Sequence, residues 1–201
     1  MIRGTVWRLA VTALTLGVGP TLRAQPPVRG APAVTTADIR FMQEMLGHHR
    51  QAVEMTALVR ARTRTARVLA LAERIAVSQT DELAMMRQWL VANGVAPDTG
   101  ALHHMKAHET HREPGMGAMA LMPGMLSPIA MRALRAARGA RFDQIFLDGM
   151  IRHHLGALTM VEALLATPGA AQESSINRFV TDVDTDQRAE IARMRRMVSG
   201  Q

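Results

Sequence analysis

One pattern in the chain restricts its fold more than any other: a stretch of fifteen residues occurs twice. Phe41-Met-Gln-Glu-Met45-Leu-Gly-His48-His49-Arg-Gln-Ala52-Val-Glu-Met55 is followed 105 residues later by Phe146-Leu-Asp-Gly-Met150-Ile-Arg-His153-His154-Leu-Gly-Ala157-Leu-Thr-Met160. Six of the fifteen positions are identical, and three more exchange one apolar residue for another. The segments that follow also match: Gln79, Glu82, Leu83 and Met86 correspond to Gln187, Glu190, Ile191 and Met194. A repeat of this length is one supersecondary unit that must bury its apolar face against its copy. With apolar residues at helical spacing and no sustained alternation, each unit reads as a helical hairpin. Two hairpins joined by a long connection predict an all-α fold, a four-helix bundle of ferritin-like connectivity.

Local signals place the elements. Thr35 or Thr36 can cap a first helix, with Asp38 in its first turn, and this helix carries Phe41 to about Ala61. A second runs from about Thr65 to Ala92 and stops at Asn93-Gly94. Ser127-Pro128 is a cap and first residue of a short helix ending near Gly139. A third long helix spans about 140 to 166, before Thr167-Pro168-Gly169, and a fourth about 175 to 198. The bundle is thus expected over 36–198, with repeat 1 at 36–93, a crossover at 94–139 and repeat 2 at 140–198. Ahead of it, Arg3 and Arg8 precede and flank an uncharged apolar run, Leu9 to Val18, with Ala24 before Gln25. This reads as a secretory signal peptide over 1–24, followed by a Pro-containing linker at 25–35, which predicts a periplasmic or secreted protein without stable membrane insertion after cleavage.

Composition narrows the chemistry. The 201 residues include no cysteine, so disulfides, thiolate metal sites and cysteine nucleophiles are excluded. The charge of +7 comes from dispersed arginines, Lys106 being the sole lysine. Without the first 24 residues it falls to 21 basic against 17 acidic, or +4. With no tyrosine, few other aromatics and no basic stripe, a nucleic-acid partner is not expected.

What remains is imidazole and thioether. At roughly 100° per residue, Phe41, Met45, Ala52 and Met55 share one stripe, with His48 and His49 on either side of Met45. Phe146, Met150, His153, His154, Ala157 and Met160 repeat the arrangement, and Gln79 with Glu82 and Gln187 with Glu190 lie on apolar faces of the partner helices. A polar stripe in an apolar seam demands partners. Either each histidine bonds a Glu or Gln across its hairpin and sets helix register, or the imidazoles bind a metal while Glu82, Glu190, Gln79 and Gln187 orient them or ligate. The crossover favours the second: His104, His108 and His111 are spaced for one helical face, and Met116, Met119, Met122 and Met125 follow among glycines and prolines. Thioethers suit Cu(I), and imidazoles suit Cu(II) and Zn(II). The expected cargo is copper, as Cu(I) or Cu(II), with silver or zinc as other candidates. Its uptake requires neutral imidazoles and is expected to weaken below about pH 6.

Inward carboxylates are fewer than di-iron bundles need and their Glu-x-x-His pairs are missing, as are the zinc-protease motif, phosphate loops and serine-nucleophile motifs. A catalytic role is therefore not expected. Two rivals to a copper carrier stay open: a metal-free envelope interaction or stress protein with structural His pairs, and a metal-dependent oxidase.

The doubled Phe-x-x-x-Met-x-x-His-His-x-x-Ala-x-x-Met resembles the hallmark of the family called domain of unknown function 305. Met122-Pro-Gly-Met125-Leu-Ser127, and Arg141-Phe142-Asp143 leading into Phe146, are similar to it as well. The resemblance covers about residues 36–198. It implies small secreted bacterial proteins with a ferritin-like bundle and a His-His motif, some of them implicated in periplasmic copper binding and resistance; for a carrier that hands over its ion, another periplasmic copper protein is the expected partner. It places the family motif on Met45, His48, His49, Met55, Met150, His153, His154 and Met160. The histidines at 103–111 lie outside that motif.

Overall fold

Four long helices and one short one, with no strands, make up the described residues, 32–97 and 121–200, of the computed structural model. The predicted signal peptide, most of the linker, His104, His108, His111, Met116 and Met119 lie outside the described residues. Helix α1 spans Thr36–Arg62, α2 Ala66–Ala92, α3 Pro128–Ala136, α4 Gly139–Leu165 and α5 Ser174–Val198.

The ends follow from local chemistry. Thr35 and Asp38 form a reciprocal capping box: the Asp38 amide donates to Thr35 Oγ1 at 3.2 Å, and the Thr35 amide donates to Asp38 Oδ2 at 2.8 Å. Helix α2 ends at Asn93, and Gly94 takes φ +72°, a left-handed conformation that costs glycine nothing. Ser127 caps α3, whose first residue is Pro128. Its sequence predicts an end near Gly139, but the helix stops at Ala136, because Ala137 is extended. The cap of α5 is Glu173, whose carboxylate accepts from the amides of Ser175 and Ile176. Asp38 has a second task. Its Oδ1 accepts from the Ala171 amide at 2.7 Å, fixing the α4–α5 turn where Ala171 holds φ +54°.

Helix α1 packs on α2, α4 packs on α5, and α1 lies against α4, joining the hairpins. The apolar core falls into two clusters, and all four long helices pass through both. One holds Phe41 to Leu46 of α1, Leu83 to Leu90 of α2, Ala157 to Leu164 of α4 and Ile176 to Val183 of α5. The other holds Ala52 to Val59, Val68 to Ile75, Phe142 to Met150 with Leu158, and Ile191 with Met194. Each long helix changes from one cluster to the other where its repeated polar residues stand: His48 and His49, Gln79 and Glu82, His153 and His154, Gln187 and Glu190. All eight are buried. The bundle thus has a polar layer at mid-height, with an apolar half on either side.

Candidate metal centre

The layer is built from two equivalent halves. In the first hairpin His49 Nε2 is hydrogen-bonded to the Glu82 carboxylate at 2.5 Å; in the second, His154 Nε2 makes the same bond to Glu190 at 2.5 Å. Helical spacing explains the pairing, since the motif and its partner glutamate stand at the same height on antiparallel helices. Such a carboxylate fixes the ring's tautomer and orientation.

The other two histidines join the hairpins. The rings of His48 and His153 lie face to face with centroids 3.8 Å apart and planes tilted by 39°. His153 Nε2 donates to the His48 carbonyl at 3.1 Å, and His48 Nε2 donates to the Pro123 carbonyl at 2.9 Å. A carbonyl oxygen only accepts, so both rings carry their proton on Nε2.

All four rings therefore use Nε2. Their Nδ1 atoms are buried and have no hydrogen-bond partner, and the same holds for Oε1 of Gln79 and of Gln187. Buried polar atoms are nearly always paired, so six orphans in one layer are a strong departure. Burial pushes His48 down to about 3, helped by the neighbouring His49, and burial together with the facing His48 sends His153 well below its usual range. Burial thus favours the neutral form of both rings as the pH falls below 6. The expected loss of donors near that pH does not apply to them, because burial disfavours the imidazolium.

Thioethers lie in both apolar halves. Met45 and Met160 belong to one apolar cluster, Met55 and Met150 to the other, and all four are buried. Met55 reaches across to α4, where its Cε would lie 3.4 Å from a Cβ on Gly149. In the crossover, Met122 is half-buried against the Phe41 cluster, and Met125 is half-buried. Among the described residues no three His, Cys, Asp or Glu side chains are grouped to hold a metal ion, so the histidines do not converge on one all-imidazole site. An open groove lined by Val53, Thr56, Leu69, Glu73 and Val77 lies on the first hairpin and includes none of the layer's residues.

Three further participants leave little mark on the side-chain pattern. Pro123 contributes a carbonyl, which no side-chain pattern reveals. Gln51 bonds the backbone of Leu126 through both ends of its amide. Gly156 admits that same segment against α4. One signal was present: Gln51 and Gly156 occupy the same place in the two copies of the motif yet differ completely in size.

Comparison with known proteins agrees with this architecture. The sequence profile of the family described as domain of unknown function (DUF305) matches residues 38–198. No curated protein matches the chain. A crystal structure of a DUF305 fragment from Deinococcus radiodurans is 28% identical, covering 85% of this chain and 100% of its own, with a TM-score of 0.68. A presumed secreted DUF305 protein from Streptomyces coelicolor is 26% identical over 82% of this chain and 93% of its own, with a TM-score of 0.67. CopM in its Cu(II)-bound form shares the fold at 24% identity, with 81% of this chain and 96% of CopM covered and a TM-score of 0.58. Among the described residues no helix is long and apolar enough to cross a membrane. A profile match over nearly the whole bundle, joined to the twofold His-His layer, establishes that the chain belongs to the DUF305 family.

Proposed function

We propose that this protein binds copper outside the cytoplasm, in the periplasm or after secretion, and that it stores the ion or passes it to another periplasmic copper protein. The observation that carries this reading is the set of four buried Nδ1 atoms left without partners by rings whose Nε2 atoms are all engaged. An unprotonated imidazole nitrogen is a ligand for copper, and orphaned lone pairs are costly until something accepts them. The buried thioethers of Met45, Met55, Met150 and Met160 add soft donors suited to Cu(I) and silver. Glu82 and Glu190 supply negative charge beside His49 and His154, which lowers the cost of a buried cation. His104, His108, His111, Met116, Met119, Met122 and Met125 are proposed as a second, crossover site that collects the ion. The fold shared with CopM, which has been solved with Cu(II), Cu(I) and silver, supports the choice of cargo. The role is one of binding, not turnover.

A specific observation favours a rival. All four rings are closed off from solvent, and no three ionisable ligands meet among the described residues. On that reading the layer is a metal-free structural device. Native mass spectrometry of the pure protein with limiting Cu(I) or Cu(II) separates the two. Copper binding predicts a retained ion at micromolar protein, and its loss from the bundle in the His48→Gln, His153→Gln double variant. Protein that retains no copper under these conditions is a structural bundle, and the copper reading is then wrong.

A further inference from the structure

The two hairpins carry one motif, but the structure breaks their equivalence where the crossover packs on them. Two residues after the second histidine stands Gln51 in the first copy and Gly156 in the second, and both touch the crossover between Met122 and Leu126. Gln51 Nε2 donates to the Leu126 carbonyl at 3.0 Å, and the Leu126 amide donates to Gln51 Oε1 at 2.7 Å. On the other side the backbones meet directly. A Cβ on Gly156 would lie 1.9 Å from the Pro123 oxygen, and one on Gly124 would lie 2.3 Å from the Arg152 oxygen. Gly124 holds φ +75°, so glycine is required there twice over. The segment is thus clamped by an amide on α1 and seated in a notch on α4, and its Leu126 side chain is anchored in the core.

What this seat delivers is the Pro123 carbonyl, 2.9 Å from His48 Nε2. His153 needs no such help, because its Nε2 is held by the His48 carbonyl. His48 alone depends on a segment outside the repeat. A carbonyl accepts and cannot donate, so it places the ring proton on Nε2, while a proton on the partnerless Nδ1 would find no acceptor. We propose that Met122–Leu126 is a strap that fixes His48 in the Nε2–H tautomer and so keeps its Nδ1 lone pair ready for a metal, with Gln51 and Gly156 as the positioning residues that seat the strap. The metal consequence rests on the copper reading above; the tautomer belongs to the metal-free protein and is judged without it.

The test uses the full chain with ¹⁵N-labelled histidine. Long-range proton–nitrogen correlation spectra assign the tautomer of each buried ring in the wild type and in Gln51→Leu, Gln51→Glu and Gly156→Ala. The wild type is expected to show His48 protonated on Nε2 only. Gln51→Leu and Gly156→Ala should move the two His48 nitrogens toward averaged shifts while those of His49 and His154 stay in place. Gln51→Glu, which keeps an acceptor for the Leu126 amide, should fall between. Copper affinity should drop by about tenfold or more in the Leu and Ala variants, the usual effect of losing a group that orients a ligand. Should Gly156→Ala fail to fold, Gln51→Leu decides, since Gln51 is only half-buried. A folded Gln51→Leu protein with the wild-type His48 tautomer overturns the strap's role. A changed tautomer with unchanged copper affinity overturns the metal consequence and leaves the strap's hold on the ring standing. If the wild type itself takes up no copper, the functional reading fails while the spectra still decide whether the strap sets the ring.

Discussion

Single side chains in this protein are tied together across long sequence distances, and their removal should be felt in proportion to what is left unpaired. His49 and Glu82 form a buried pair, so truncating one member strands the other. His49→Leu should destabilise the fold by about 3 kcal/mol, whereas Leu at both 49 and 82 should restore most of that loss or exceed it. Urea denaturation of the two single variants and the double variant gives the coupling directly; additive losses would show that the pair does not act as one. Asp38 serves a capping box and the Ala171 amide at once. Asp38→Ala should cost about 2–3 kcal/mol, and Asp38→Asn clearly less, since it retains an acceptor. Equal losses in the two variants would deny the bond to Ala171 its part.

At the scale of the elements, the α5 start makes the clearest forecast. Hydrogen bonds to the Glu173 carboxylate, first from the Ser175 hydroxyl and then from the amides, hold its pKa down to about 2. A depressed carboxylate stabilises above its unfolded value of about 4.5, and this contribution fades as the pH falls toward 2. Glu173→Ala should fray the first turn of α5 at neutral pH, at a cost of up to about 1 kcal/mol. Faster amide exchange at Ser175 and Ile176, with the rest of the helix unchanged, is the expected signature. Much of the element layout was legible from the chain. Thr35 with Asp38, Ser127-Pro128 and Asn93-Gly94 mark ends that the structure keeps, because caps are local chemistry. The repeat announced two hairpins, and the periodicity put His48, His49, His153 and His154 inward. It did not reveal that His48 would face His153, since that depends on how α1 meets α4. Nor did it reveal Pro123 as a partner, because backbone carbonyls leave no trace in residue type. The Asp38–Ala171 contact spans 133 positions and was invisible for the same reason.

For the molecule as a whole, acidity should act through the facing histidines. His48 and His153 have folded-state pKa values below their unfolded value of 6.5, so the unfolded chain binds more protons as the pH drops through that point. Stability should be level above pH 6.5 and decline from there toward pH 3, at no more than on the order of 1 kcal/mol per pH unit for each histidine. The denaturation midpoint at pH 4 should therefore lie well below that at pH 7, and replacing both residues by Gln should flatten the slope. The layer that crosses the bundle has one more effect. Ordinary helices loosen from their ends, where hydrogen bonds are missing. Here the cross-section richest in polar groups lies halfway along four long helices, with oily halves above and below it. Opening that buried plane to water would uncover neither half, so the breathing motion of least cost is expected at the waist of the bundle. Amides near 48–52 and 153–157 should then exchange faster than those one or two turns away on either side, a local minimum of protection at the centres of α1 and α4.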